Sequence, residues 1–284
     1  MSDVEVQLGS LHVYPVKSCG TVTLDEALII ETGLEFDRAW MVVDEAGEFV
    51  TQRELPRMAL IAPTLRQFDM VLRAPGMLTL HIALDTVHAS MRATVWGDTV
   101  QAYDMGDLAA QWFSDFLGRK LRLVRFDPEQ RRLSSREWTG AIEAENAFSD
   151  GYPLLVASSA SLAALNARVQ QRAAAPVTMQ RFRPNLVLDG LEAHDEDHID
   201  DIVFDTSDGP VRLKLVKPCT RCTIPDVDPA TGLLGHAVGD ALAAYRRDAR
   251  LDGAITFAMN AVIVQGIGCA LRKGLEGRAS YRFG

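Results

Sequence analysis

Cysteine is scarce: only four occur in 284 residues, at positions 19, 219, 222 and 269. That is too few for a disulfide framework and points to a reducing compartment. Positive charge is also short. Twenty-nine lysines and arginines face 38 aspartates and glutamates, for a formal net charge of -9. Nucleic-acid binders are ordinarily basic, so that partner is disfavoured. No apolar run approaches the ~20 residues a membrane helix needs. Met1 to Glu5 lacks the basic start and apolar stretch of a secretion signal. The expectation is a cytoplasmic chain without a membrane partner. There is no Walker loop, dinucleotide fingerprint or Gly-x-Ser-x-Gly motif, and no internal repeat. The six histidines, including His88, show no metal-ligand spacing. His194-Asp195-Glu196-Asp197-His198 reads as an acidic surface loop rather than a metal site.

What is present is a hydrophobic fraction of 48%, ample for a core. Short strand-like runs dominate: Leu11 to Val16, Trp40 to Asp44, Glu48 to Thr51, Thr94 to Trp96 and Val100 to Tyr103. Asp104 is placed to cap a helix carrying Trp112, Phe116 and Leu117, and Gly118 to end it. Residues 127 to 147 turn polar and charged and read as a linker or mobile loop. Beyond it, Ser158 or Ser159 caps a helix, Val238 to Arg250 reads as another, and Asn185 to Leu188, Val211 to Val216 and Asn260 to Val264 read as strands. Strands and helices do not alternate regularly, which argues for an α+β, strand-rich chain of barrel-like domains with peripheral helices. The expected division is 1–126, a 127–147 linker, and 148–284.

The segment Lys217-Pro218-Cys219-Thr220-Arg221-Cys222 carries the strongest chemical signal. Pro218 cannot donate to a ladder, so the two thiols are expected where a strand ends and a loop begins. Thiols beside a cation suit metal binding or thiolate chemistry, with Arg221 helping to keep Cys222 ionised. A structural zinc site needs four ligands, and Cys19 and Cys269 are unpaired in sequence. A thioredoxin-like motif needs a following helix, yet Ile224 to Gly232 holds two prolines. A disulfide or two inert thiols stay open on spacing alone. Cys19 and Cys269 suit small core positions.

In Arg181-Phe182-Arg183-Pro184-Asn185, Pro184 biases Arg183 toward an extended backbone. Alternation would then put both arginines on one face as an anion clamp, although surface ion pairs are the commoner use of such residues. Tyr14-Pro15-Val16-Lys17-Ser18-Cys19-Gly20 places a lysine and a hydroxyl after a strand. Asp37-Arg38-Ala39-Trp40 places an arginine at a strand start.

Together these segments resemble one family. Tyr14 to Cys19, Gly33 to Trp40 and Thr51-Gln52-Arg53 resemble the N-terminal β-barrel domain that precedes MOSC domains. Phe148 to Pro153, Ala160 to Leu162, Arg181 to Asn185, and Pro218 to Cys222 with Asp228 to Gly232 resemble the MOSC domain itself. Members similar to this chain are the mitochondrial amidoxime-reducing components and their bacterial counterparts. The resemblance implies molybdenum cofactor, a pterin whose dithiolene holds the metal and whose tail ends in phosphate, with Cys222 as the protein thiolate on molybdenum. It implies cofactor contacts from Lys17, Ser18, Arg38, Gly151, Tyr152, Arg183, Asn185, Thr220 and Arg221. It implies reduction of small N-hydroxylated substrates with electrons from a separate ferredoxin-, flavin- or cytochrome-type protein, since the ferredoxin domain of some bacterial relatives has no counterpart here. The alternatives are a sulfur carrier using a Cys222 persulfide, although a pyridoxal-phosphate desulfurase domain is missing, or a cofactor carrier without turnover. Asp226 and Asp228 are candidate proton donors, with loop capping as the alternative role for both. One departure is Phe257-Ala258-Met259-Asn260, where relatives often carry glycine in place of Ala258.

Overall fold

A computed structural model describes residues 3–87 and 89–282; Met1, Ser2, His88, Phe283 and Gly284 lie outside the described residues. Seven strands close into a barrel. In order they are Leu154–Ser158, Leu186–Asp189, Val4–Val13, Glu276–Tyr281, Ile199–Thr206, Gly209–Thr220 and Ala254–Gln265, and the last pairs back to the first. Closure leaves this sheet without the open edges that invite aggregation. Leu8, Leu11, Leu186, Ile202, Phe204, Leu213 and Met259 fill the interior. The parallel pair Leu154–Ser158 and Leu186–Asp189 is bridged by the helix Ser159–Gln171, whose N-cap Ser158 accepts from the Ala160 amide.

The strand Val4–Val13 hydrogen-bonds between Leu186–Asp189 and Glu276–Tyr281, so the first strand of the chain completes the barrel of its second half. The rest of the first half holds a four-stranded sheet ordered Trp40–Val43, Arg122–Phe126, Asp98–Asp104, Ser90–Val95, and the three-stranded meander Ala62–Leu65, Asp69–Arg73, Leu80–Ala83. Helix Asp107–Leu117 buries Trp112, Phe113 and Phe116 against these strands. The strand-rich α+β reading therefore holds. Among the described residues no helix is long and apolar enough to cross a membrane.

Several local expectations are corrected. The helix after Asp104 starts at Asp107 with Gly106 as N-cap; the Asp104 carboxylate instead accepts from the Gly106 amide, while Gly118 does end the helix at φ 71°. Residues 127–147 make fixed contacts with both flanking regions. Arg132 is buried, donating to the carbonyls of Ala147 and Ser149 and pairing with Asp98 at 2.8 Å. The helix at Val238 spans only Ala237–Ala243, and the chain then turns into a short strand, Arg247–Asp248, that pairs with Ala254–Gln265. Residues 194–198 are no surface loop: Glu196 is 0% exposed, and Asp197 pairs with Arg246 at 2.5 Å. Acidic composition misled there because each carboxylate found an internal donor.

Candidate cofactor site

A cleft opens where the barrel meets the first-half sheets. Lys17, Ser18, Arg38, Gly151, Tyr152, Arg183, Asn185, Thr220, Arg221 and Cys222 all line it. Sequence positions from 17 to 222 are thus gathered on one cavity.

Pro218 does not stop its strand. Gly209–Thr220 runs through it, with Pro218 opposite Met259 and register shifts on both sides. The bulges supply places where a missing N–H is tolerated. Opposite, Ala258 lies at φ 69°, the left-handed conformation that bulges usually reserve for glycine. Cys219 and Arg221 are two residues apart on this extended segment and so share a face. The Arg221 guanidinium donates to Cys219 Sγ at 2.9 Å and to the Phe182 carbonyl at 2.9 Å, so its thiol partner is Cys219 and not Cys222 as expected. Cys222 follows the strand and is exposed; all four cysteines are free. Cys19 and Cys269 are buried as anticipated, and burial pushes the Cys19 thiol up to about 12.

The cationic wall is built by backbone turns. Ser18, Arg38 and Arg183 all take positive φ, at 65°, 49° and 60°. Arg183 is therefore not extended, and Arg181 turns away to Asp228 at 3.1 Å and the Pro225 carbonyl. The two arginines form no parallel clamp. Instead Arg183 and Arg38 both lie over the buried Tyr14 ring, at 4.2 and 4.4 Å from its centroid. Arg38 pairs with Asp37 at 2.5 Å and donates to Asn185 Oδ1 and the Arg183 carbonyl. Among the described residues no carboxylate pairs with Arg183; it donates to the Cys19 carbonyl at 2.6 Å. Burial, then the neighbouring Arg38 charge, pushes its pKa down to about 10. Asn185 is spent on structure, bridging Arg38, the Leu155 amide and the His12 carbonyl. Ser18 offers its carbonyl to Gln52.

Lys17 is buried, donating to the Phe148 carbonyl at 2.7 Å and to Asp150 at 2.5 Å. Burial lowers its pKa, with Asp150 opposing. For Asp150 the crowding of the site works against ionisation, yet Lys17, the Trp96 indole N–H and Arg38 outweigh it and hold the carboxyl below the usual range. Its side chain is 73% exposed, so water screens this pairing. Gly151 has nothing within 4 Å of where a Cβ would sit. The Tyr152 ring packs near Ala144, Val216 and Val262, and burial pushes its hydroxyl up to about 12. Asp226 caps the helix Ala237–Ala243 through the Val238 and Gly239 amides, and Asp228 caps its own turn besides pairing with Arg181.

Sequence reasoning left Cys219, Arg53, Trp96 and Asp150 out of the site, and all four line the cleft. Asp150 had a signal: a lysine near a strand end that becomes buried needs a carboxylate. Trp96 had a weaker one, an aromatic directly before Gly97 in a tight turn.

Residues 5–120 match the MOSC N-terminal beta barrel domain, and residues 143–269 match the MOSC domain. The chain belongs to the MOSC-domain family. It is 37% identical over 235 residues to mitochondrial amidoxime-reducing component 1 of Mus musculus, covering 80% of this chain and 67% of that protein. It is 36% identical over 236 residues to component 2 of Bos taurus (80% and 68%), and 34% identical over 249 residues to component 2 of Homo sapiens (84% and 72%).

The MOSC cleft fits a phosphate-tailed pterin that brings its own metal ligands. Arg183 Nη2 and Arg221 Nε are buried without partners, and both belong to cleft-lining side chains. Unpaired guanidinium donors are what an anion would satisfy. Among the described residues no three His, Cys, Asp or Glu side chains are grouped to hold a metal ion, so protein atoms alone offer no donor set there. A single exposed thiol, Cys222, suits a soft metal whose other ligands arrive with it.

Proposed function

We propose that this chain is a molybdenum-cofactor-dependent reductase of N-hydroxylated compounds, as the names of its amidoxime-reducing relatives suggest. The observation that carries the reading is the convergence of Cys222, two guanidiniums with unpaired N–H groups and the buried Lys17 on one cleft. Arg183 and Arg221 would hold the cofactor's anionic tail, Lys17 and Arg38 would add positive potential, and Cys222 would ligate the metal. When bound, the cofactor supplies two-electron chemistry at an oxygen-accepting centre. The net reaction adds two electrons and two protons, breaks the N–O bond, and releases water and the amidine or amine. The electrons come from a separate redox protein. Asn185 keeps Arg38 and the Leu155 backbone in register.

The test is to produce the chain in a host that makes the cofactor, then measure metal, pterin and turnover together. About one molybdenum per chain, a fluorescent pterin on denaturation, and reduction of benzamidoxime by chemically reduced protein are expected. Zinc without pterin would overturn the reading. Cofactor without turnover would leave a carrier, and labile sulfur on Cys222 without metal would leave a sulfur carrier.

A further inference from the structure

Trp96 occupies an unusual position for a large apolar side chain. It is 47% exposed and sits at the cleft, on the first of two turn residues joining Ser90–Val95 to Asp98–Asp104. Its φ is 54°, a conformation a bulky residue rarely adopts. Its orientation is nevertheless held. The indole N–H donates to Asp150 Oδ1 at 2.9 Å, and that carboxylate is held by Lys17. The ring packs on Phe49 with centroids 4.9 Å apart. Cys219, Thr220, Arg221 and Cys222 line the same cleft and the wider mouth beside it. An exposed aromatic at a strained turn, pinned at one edge through the half-open Asp150 to the buried Lys17, suits a binding surface.

Something already uses that surface. The Arg53 guanidinium lies over the Trp96 ring, 4.5 Å from its centroid. Among the described residues the Arg53 side chain is otherwise hydrogen-bonded only to Thr51, at 3.3 Å from its hydroxyl, and is itself exposed. A guanidinium is a planar carbon bearing three nitrogens. An amidoxime is a planar carbon bearing two, and its amidine product is a planar cation of the same kind. We propose that Trp96 is the substrate-binding platform of this site, stacking on the planar C–N group of amidoximes and N-hydroxyguanidines in the place that Arg53 fills when substrate is absent. The assignment rests on the reductase reading and narrows it to planar substrates. Arg53 is then an internal occupant that must swing aside, and its removal relieves competition. N-hydroxylated compounds with a pyramidal nitrogen present no plane and gain nothing from the ring.

The test uses cofactor-loaded, chemically reduced protein, with benzamidoxime as planar substrate and N,N-diethylhydroxylamine as non-planar substrate. Binding of benzamidine, the product, is followed separately by calorimetry. For Trp96→Ala, KM for benzamidoxime and Kd for benzamidine should each rise about 10-fold, the loss expected for one cation–π or stacking contact. Turnover at saturation and the kinetics with N,N-diethylhydroxylamine should change little. Trp96→Phe should recover most of the loss, and Arg53→Gln should lower both constants. Molybdenum and pterin content should match wild type in every variant. Unchanged KM and benzamidine affinity in Trp96→Ala, or equal losses with both substrates, would overturn the platform. If loaded wild type reduces neither substrate, the reductase reading falls, and the platform falls with it unless benzamidine affinity still depends on residue 96 as stated.

Discussion

The molecule buries charge in two places that differ in kind. In the cleft, Lys17, Arg38, Arg183 and Arg221 outnumber the carboxylates of Asp37 and Asp150, and the unpaired atoms on the two arginines are donors. On the other side of Phe257 lies a cluster of His194, Glu196, Asp197, Tyr245 and Arg246. Its unpaired atoms are of mixed type: both His194 ring nitrogens, Asp197 Oδ1 and the Tyr245 hydroxyl. Phe257 separates the two, 4.1 Å from the cleft-lining Phe182 and 6.1 Å from His194. Unpaired guanidinium N–H groups on cleft-lining side chains, with the unpaired Tyr152 hydroxyl beside them, suit an anion, and their desolvation cost is offset when one binds. Mixed donors and acceptors sealed inside describe a permanent cost, visible in stability and its pH dependence.

The widest separation should come from the cleft thiols. Cys222→Ser is expected to lower amidoxime turnover by at least about 100-fold, since a metal ligand acts only as thiolate. Cys219→Ser should retain substantial turnover, because a hydroxyl still accepts from Arg221. The arrangement of Arg221 on Cys219 makes this a sharper contrast than spacing alone allows. Equal loss in both variants would mean that the thiols act as a pair. Metal and pterin should be quantified alongside rate.

The sealed cluster is tested by pH. Burial pushes Glu196 up to about 7, with the Ser161 hydroxyl opposing. A carboxyl whose folded pKa lies above its unfolded value of 4.5 contributes its full stability below that pH and loses it as pH rises through about 7. Glu196→Gln cannot ionise. It should therefore match wild type near pH 4.5 and exceed it above pH 7 by roughly 2–3 kcal/mol, while cofactor content stays the same. Urea unfolding at a series of pH values measures this, and a pH-independent difference would show that Glu196 is not titrating.

A third comparison returns to the cleft. Arg183→Ala removes an unpaired donor, whereas Arg181→Ala removes a residue committed to Asp228. A charge-assisted hydrogen bond to an anion contributes about 1.5–3 kcal/mol, so cofactor should dissociate roughly 10–100-fold faster from the Arg183 variant. Equal retention in folded samples of both would remove Arg183 from the site.

The fold class was legible because runs of strand-forming residues are local signals, and the residues that line the cleft were named through the family resemblance that the short motifs carry. Their orientation was not legible. The positive φ of Arg183, which Pro184 argued against, goes with contacts to Tyr14 and Arg38, far away in sequence. The partner of Arg221 follows from the strand continuing through Pro218, which needed the bulge opposite it. Glu196 and Asp197 looked like surface because acidic runs usually are; Ser161 and Arg246, contributed by other elements, decide otherwise.

The smallest effect concerns the wall between the two regions. Ala258 and Ala261 are both fully buried on the strand Ala254–Gln265, but only Ala258 has positive φ. Replacing a buried alanine by glycine loses a methyl worth about 0.8 kcal/mol and frees the unfolded chain by about 0.4–1 kcal/mol. Ala261→Gly should therefore cost about 1–2 kcal/mol. At residue 258 the same losses are countered by relief of a left-handed alanine, worth about 1–2 kcal/mol, so Ala258→Gly should be close to neutral. Ala258→Val should cost more than either, since a β-branched side chain is excluded from that backbone region and overfills the wall. Denaturant midpoints of the three variants decide the matter. If both glycine variants lose the same stability, Ala258 carries no strain, and the bulge that turns the cysteine segment into the cleft is held by packing alone.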